Sequence, residues 1–388
     1  MRSTTFARAA ALASALATSV SAAFDAAAST NVVMYWGQGS NQIPLLEVCQ
    51  NPSVDVVVLG FINEFPTKVG GYPGSNFANA CGDETFTAPD GTITHLKSHC
   101  PDIGPAITSC QTTYGKKVIL SLGGAYPTNY TLPTTAISNY FAEFLWGAFG
   151  PITSPPASWV AAGSPRPFGS AVVDGFDFDI ESDMASPPFS DYKSRGYADM
   201  INHFKNVLYP TAAGTYYISG APQCITPDSH LDDAMLNAPF DFLYVQFYNT
   251  PSCSARAAYN GLSTFTFDSW VSRVTTLSAN KNAKVYLGIP AGTDGAPYDT
   301  ASYLNTTEAN TVISEYLKKY PSTFGGVMLW EATVDSLNIQ CSQDYAYWIK
   351  KSLNSAYSGT AYTDKCPTTT STATPTPTGG VIWFWQLL

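Results

Sequence analysis

An α/β chain closing as a (β/α)8, or TIM, barrel is the fold class this sequence predicts, and three observations predict it. Eight short apolar runs recur along 388 residues, a length within reach of a single barrel. The segments between them are long enough to form helices. The fourth run carries a line of carboxylates at its carboxyl-terminal end, the side on which barrels of this kind place their chemistry.

The runs are 31–36, 54–61, 117–122, 172–180, 215–220, 242–247, 284–289 and 325–330. Most are continuous stretches of Val, Ile, Leu, Phe and Tyr, as parallel strands buried on both faces should be. Segment 136–149 keeps Ile137, Phe141, Phe144 and Leu145 on one helical face, and 197–208, 267–277 and 308–319 behave similarly. An open doubly wound sheet is the competing arrangement. It lacks support, because no Gly-x-Gly-x-x-Gly follows the first strand. Nothing points to a second folded domain, so residues 24–366 are read as one.

The flanks differ in kind. Residues 1–23 read as a secretory signal, with Arg2 and Arg8 at a positive start, a weakly apolar core over 9–20, and Ser21, Ala22 and Ala23 suited to cleavage. An oxidising destination agrees with the eight cysteines, although arithmetic alone leaves about 105 pairings. Residues 367–388 form a Thr/Pro-rich tail that has no means of building a core and reads as an extended stalk suited to O-glycosylation. Its apolar end, 381–388, is too short to span a bilayer. It is read as a shortened anchor signal, which leaves attachment to a cell wall or membrane open. Asn129 and Asn305 open N-glycosylation sequons.

Composition narrows the partners. Charged residues make up 12% of the chain, against about 25% in an average protein. A net charge of −10 and a pI near 4.7 argue against nucleic acid and anionic membrane as partners. A neutral polysaccharide is compatible. With 23 tyrosines and 21 phenylalanines, an aromatic-lined cleft is within the chain's means.

The fourth run reads Val173-Asp174-Gly175-Phe176-Asp177-Phe178-Asp179-Ile180-Glu181. A strand alternates its faces, so Asp177, Asp179 and Glu181 share one face while Phe176, Phe178 and Ile180 share the other. Same-face neighbours lie roughly 6–7 Å apart. Three acids that close have their pKa values pushed apart, which leaves one carboxyl able to donate a proton beside a charged neighbour. A calcium loop is the blander reading, but it requires a sharp turn and oxygen ligands where this chain alternates acids with aromatic and β-branched residues. Other strand ends offer partners: Tyr35-Trp36-Gly37-Gln38, Ser121-Leu122-Gly123-Gly124, Gln246-Phe247-Tyr248-Asn249 and Trp330-Glu331. Each alone is more often filler than ligand; all at predicted strand ends argue for a site.

The pattern Asp-x-x-Asp-x-Asp-x-Glu resembles the signature of glycoside hydrolase family 18, and Ser121-Leu122-Gly123-Gly124 is similar to that family's second motif. The first-strand motif, Ala221-Pro222-Gln223-Cys224, the sixth-strand motif and Gly325–Trp330 resemble its plant-type (class III, hevamine-like) branch, which secreted fungal endochitinases share. The resemblance covers roughly residues 31–345. It implies a barrel that hydrolyses chitin or chitooligosaccharides outside the cell, as a monomer, with no metal and no cofactor.

It also implies roles. Glu181 is the general acid and then base; Asp179 orients the substrate's acetamido group; Asp177 sits behind and tunes Asp179; Tyr248 holds the acetamido oxygen. That oxygen is the nucleophile, so the reaction is substrate-assisted and retaining. Trp330 is the floor of the cleavage subsite, with Tyr35, Phe61, Gly124, Gln246 and Asn249 around it. Asp174 supports the strand. His95 and His99 are surface histidines of a loop. Cys49–Cys110, Cys81–Cys100 and Cys224–Cys253 are the implied disulfides, leaving Cys341 for Cys366. Two other readings remain: an endo-β-N-acetylglucosaminidase acting on N-glycan cores, and a non-catalytic lectin or inhibitor on the same barrel.

Overall fold

The computed structural model describes residues 24–126, 128–183 and 189–366. The expected signal, 1–23, and the Thr/Pro-rich tail, 367–388, lie outside them.

Eight parallel strands close into a barrel: β1 (Asn31–Trp36), β2 (Val56–Ile62), β3 (Lys117–Gly124), β4 (Gly175–Ile180), β5 (Tyr217–Gly220), β6 (Phe242–Gln246), β7 (Lys284–Pro290) and β8 (Phe324–Trp330). Each strand pairs with its neighbours in sequence, and β8 closes on β1 through Asn31 opposite Gly326. Every expected run therefore forms a strand, with ends shifted by up to three residues.

The continuous apolar character of the runs has a direct cause. In β1, Val32, Met34 and Trp36 join the layer between barrel and helices, while Val33 and Tyr35 join the barrel interior with Val56, Val58 and Tyr244. Both faces are dry, so neither tolerates an unpaired polar side chain. Phe24 closes the interior from below, its ring edge-on to Tyr217 and Phe242.

The four expected helices form. Thr135–Phe149 is capped by the Thr134 hydroxyl, which accepts from the Ile137 N–H. Tyr197–His203 continues as a π-helical turn, Phe204–Leu208. Phe267–Thr276 and Thr306–Lys319 follow, the latter opened by a capping box between Asn305 and Glu308. A further helix, Tyr345–Ser358, packs on Thr306–Lys319. One expectation needs correcting: His95 lies in a two-stranded hairpin, Thr85–Thr87 with Ile93–Lys97, rather than in a loop. The hairpin's alternating exposed face carries His95, which meets Glu64 Oε2 at 2.6 Å.

The four disulfides are Cys49–Cys110, Cys81–Cys100 and Cys224–Cys253, the pairs the resemblance implies, and Cys341–Cys366, the pair left by elimination. Cys81–Cys100 brackets the hairpin. Cys224–Cys253 ties the loop after β5 to the one after β6, at the face where the acidic strand ends. Asp174 is structural: its carboxylate accepts from Lys117 Nζ, the Val118 N–H and Gln111 Nε2 at the entrance to β4.

Candidate active site

The alternation in β4 sends Phe176 and Phe178 outward, Phe176 stacking on Phe204 and Phe178 meeting Tyr197 and Phe240 edge-on. Asp177 and Asp179 are thereby turned into the barrel, where both are buried. Asp177 lies deepest. Its Oδ2 accepts from the Tyr35 hydroxyl at 2.7 Å and the Ser121 hydroxyl at 2.6 Å, and its Oδ1 from the Ser219 hydroxyl at 2.7 Å. These donors come from β1, β3 and β5, and the register sets Ser121 and Ser219 directly beside Asp177. Burial raises the Asp177 pKa, and the three hydroxyls pull it partly back.

Asp179 stands one layer higher. Gln246, at the end of β6, brings its amide nitrogen to 2.9 Å from Asp179 Oδ1, 3.0 Å from Glu181 Oε1 and 3.0 Å from the Ala221 carbonyl. Two N–H groups thus face three acceptors, and one amide nitrogen gathers the Asp179 and Glu181 carboxyls. Burial holds the Asp179 pKa well above the ordinary carboxylate range, and the charges of Glu181 and then Asp177 add to the effect. Asp179 is thereby the carboxyl that the site holds towards its protonated form.

Glu181 reaches a cleft of about 400 Å³ lined also by Phe61, Gly124, Gln246, Tyr248, Asn249 and Trp330. The Tyr248 ring is buried, and burial followed by the charges of Glu181 and Asp179 raises its hydroxyl's pKa, so the phenol remains a donor. Trp330 stacks on Phe61 with ring centres 6.2 Å apart and forms an aromatic floor. Tyr35 does not line this cleft. It is buried beneath Trp330, their rings 5.5 Å apart, and spends its hydroxyl on Asp177. The expected contact from Tyr35 to a ligand is corrected accordingly. A roomier groove, lined by residues such as Ile43 and Ile103, holds none of these carboxylates.

Sequence reasoning missed several lining residues. Asn63, Asn76, Tyr126 and Tyr298 sit on loops whose path no periodicity dictates. Ser121 and Ser219 were visible as letters, but their role depends on strand register. Among the described residues, no His/Cys/Asp/Glu group of three could hold a metal ion.

The cage around Asp177 yields a prediction. Asp177→Asn keeps the shape and removes a desolvated charge, so stability should stay within about 1 kcal/mol of the parent. The Asp177 charge raises the Asp179 pKa, and without it the alkaline limb of any activity profile should move to lower pH. An unmoved limb would rule out this coupling.

The profile for Glycosyl hydrolases family 18 matches residues 31–335. Endochitinase A of Emericella nidulans is 49% identical over 318 residues, covering 81% of this chain and 31% of that protein. The chain spans less than half the length of the curated relatives compared, from 25% of Endochitinase A of Aspergillus niger to 47% of a probable endochitinase of Arthroderma benhamiae. Among solved structures, ICChI chitinase from Ipomoea carnea superposes with a TM-score of 0.63 at 27% identity, covering 83% of this chain and 99% of that one. The xylanase and alpha-amylase inhibitor protein XAIP-II from Scadoxus multiflorus does so with a TM-score of 0.61 at 26% identity, covering 86% and 99%.

Proposed function

The chain belongs to glycosyl hydrolase family 18, and from that premise we propose a secreted chitinase that cleaves β-1,4-linked N-acetylglucosamine polymers with retention. The observation that carries the reading is the Gln246 amide shared by Asp179 and Glu181. It supports a carboxyl pair that holds one proton and hands it outward through Glu181.

Glu181 protonates the glycosidic oxygen as the bond breaks. The substrate's own acetamido oxygen attacks the anomeric carbon, giving a cyclic oxazolinium ion. Asp179 accepts a hydrogen bond from the acetamido N–H, and its carboxylate stabilises the developing positive charge. Tyr248 donates to the acetamido oxygen and holds it in line, since an internal nucleophile needs positioning more than activation. Glu181, now anionic, takes a proton from water, which opens the ring from the face the leaving group left. Trp330 stacks under the sugar, with Phe61 beside it. The domain assignment is 24–366 for catalysis, behind a signal at 1–23 and ahead of a Thr/Pro-rich tail at 367–388 whose composition suits a stalk.

An inhibitor shares this barrel, so the fold alone does not separate an enzyme from a binding protein. The intact Asp179–Gln246–Glu181 arrangement favours the enzyme. A soluble N-acetylglucosamine hexamer followed by NMR and mass spectrometry tests it. Early products in the β-anomer are expected. Binding without cleavage would favour the lectin, and cleavage of a high-mannose glycopeptide alone would favour the glycan-core enzyme.

The pH dependence follows from the same pair. A raised Asp179 pKa means that the shared proton persists above the ordinary carboxylate range and is lost as pH rises further. The rate should therefore peak in mild acid and fall on the alkaline side. A profile still rising above about pH 8 would sink the assignment.

A further inference from the structure

The loop after β5 carries a group of ionisable side chains that the mechanism leaves unused. Asp228 is buried, and its carboxylate accepts from three backbone N–H groups: Gln223 at 3.0 Å, His230 at 2.9 Å and Leu231 at 2.7 Å. His230 is buried as well. Its Nδ1 lies 3.1 Å from the Ser229 hydroxyl, and its Nε2, buried without a hydrogen-bond partner, faces Asp183 Oδ1 at an ion-pair distance of 3.3 Å. Asp183 follows Glu181 by two residues and is also bound by Lys193 Nζ at 2.5 Å. Between them, the Ser182 hydroxyl donates to the Ala125 carbonyl at 2.7 Å.

The contacts form a circuit. From Glu181 the chain runs through Ser182 to Asp183, across to His230, and along the turn to Asp228. The Asp228 carboxylate holds Gln223, whose backbone bridges Gln246, and the Gln246 N–H donates to the Pro222 carbonyl at 2.8 Å. The Gln246 amide returns to Glu181 and Asp179. Both supports of the acid, the amide in front of it and the peptide behind it, end on the same turn.

We propose that His230 is a positioning residue: it clasps Asp183 and so fixes the segment following Glu181 against the turn that also holds Gln246. The role in turnover rests on the chitinase reading above; the clasp itself does not. A buried imidazole suits the task, because it is rigid and reaches the exposed Asp183 without leaving the core. The charged groups facing it are Asp228 and Asp183, which favour the imidazolium, and Lys193, which opposes it. Burial outweighs them and lowers its pKa.

The test compares full-length protein with Asp183→Asn, His230→Gln and, as a control, His95→Gln on the exposed hairpin. With the hexamer, both clasp variants should lose about tenfold in kcat with KM within about twofold, because a displaced acid slows chemistry more than it weakens binding. The control should match the parent. Parental kcat in both clasp variants would overturn the proposal. Asp183 is largely exposed, so Asp183→Asn decides alone if His230→Gln fails to fold. NMR titration of His230 reads the clasp without any substrate. Removing the anion opposite should move the imidazole midpoint further down. An unmoved midpoint overturns the clasp even in a protein that cleaves nothing, whereas a protein that shifts its midpoint but cleaves nothing sinks only the chitinase reading.

Discussion

Glu181→Gln should leave the protein folded and able to bind the hexamer while lowering kcat by about 10³-fold or more, the upper part of the range for loss of a general acid. That factor corresponds to about 4 kcal/mol of transition-state stabilisation. The amide is isosteric with the carboxyl, and its oxygen still accepts from Gln246 Nε2, now 3.0 Å from Glu181 Oε1. What disappears is the proton delivered to the leaving oxygen. KM should change little, because Phe61, Trp330 and Tyr248 line the cleft independently of that proton. A second consequence follows inside the pair. The Glu181 charge helps raise the Asp179 pKa, so in the variant Asp179 should ionise at lower pH. Steady-state rates and binding calorimetry on one preparation separate the two effects. A variant within tenfold of the parent in kcat would remove Glu181 from its role as acid.

The barrel was legible because its chemistry is local. A strand buried on both faces must be written as a run of apolar residues, and the polar groups that β1 and β2 carry are Asn31 at the entry to β1, the Tyr35 hydroxyl and the Trp36 indole N–H. β4 was legible for the opposite reason: acids alternating with aromatics fit only a strand that turns one face into a site. The cage around Asp177 was not legible. Its three hydroxyls are spread over β1, β3 and β5, and only closure of the barrel brings them together. The same limit explains Tyr35, which sequence position puts at a strand end and packing puts under Trp330. The hairpin at Thr85–Thr87 and Ile93–Lys97 is short and half exposed, so its pattern resembles a loop. Tyr126 and Tyr298 depend on loop paths that no period encodes.

Gly123→Ala should be the most damaging small substitution at the site, lowering stability by about 3 kcal/mol or more and kcat by about 100-fold. Gly123 pairs in register with Asp179, and its φ of +112° lies where L side chains are strained. A Cβ there would fall 2.1 Å from the Asp179 carbonyl oxygen, a backbone atom with no rotamer to escape into. Either β3 or β4 must move, and β4 carries Asp179 and Glu181. The displacement is therefore felt at the Gln246 contacts before anywhere else. Gly91→Ala separates strain from collision: its φ of +88° is also unfavourable, but no atom lies within 4 Å of the added methyl. That control should lose about 1–2 kcal/mol and keep its full kcat. Urea unfolding and hexamer hydrolysis on both variants decide the matter. If Gly123→Ala matched the Gly91→Ala control in stability and rate, the close approach of β3 to Asp179 would have no part in holding the acid pair.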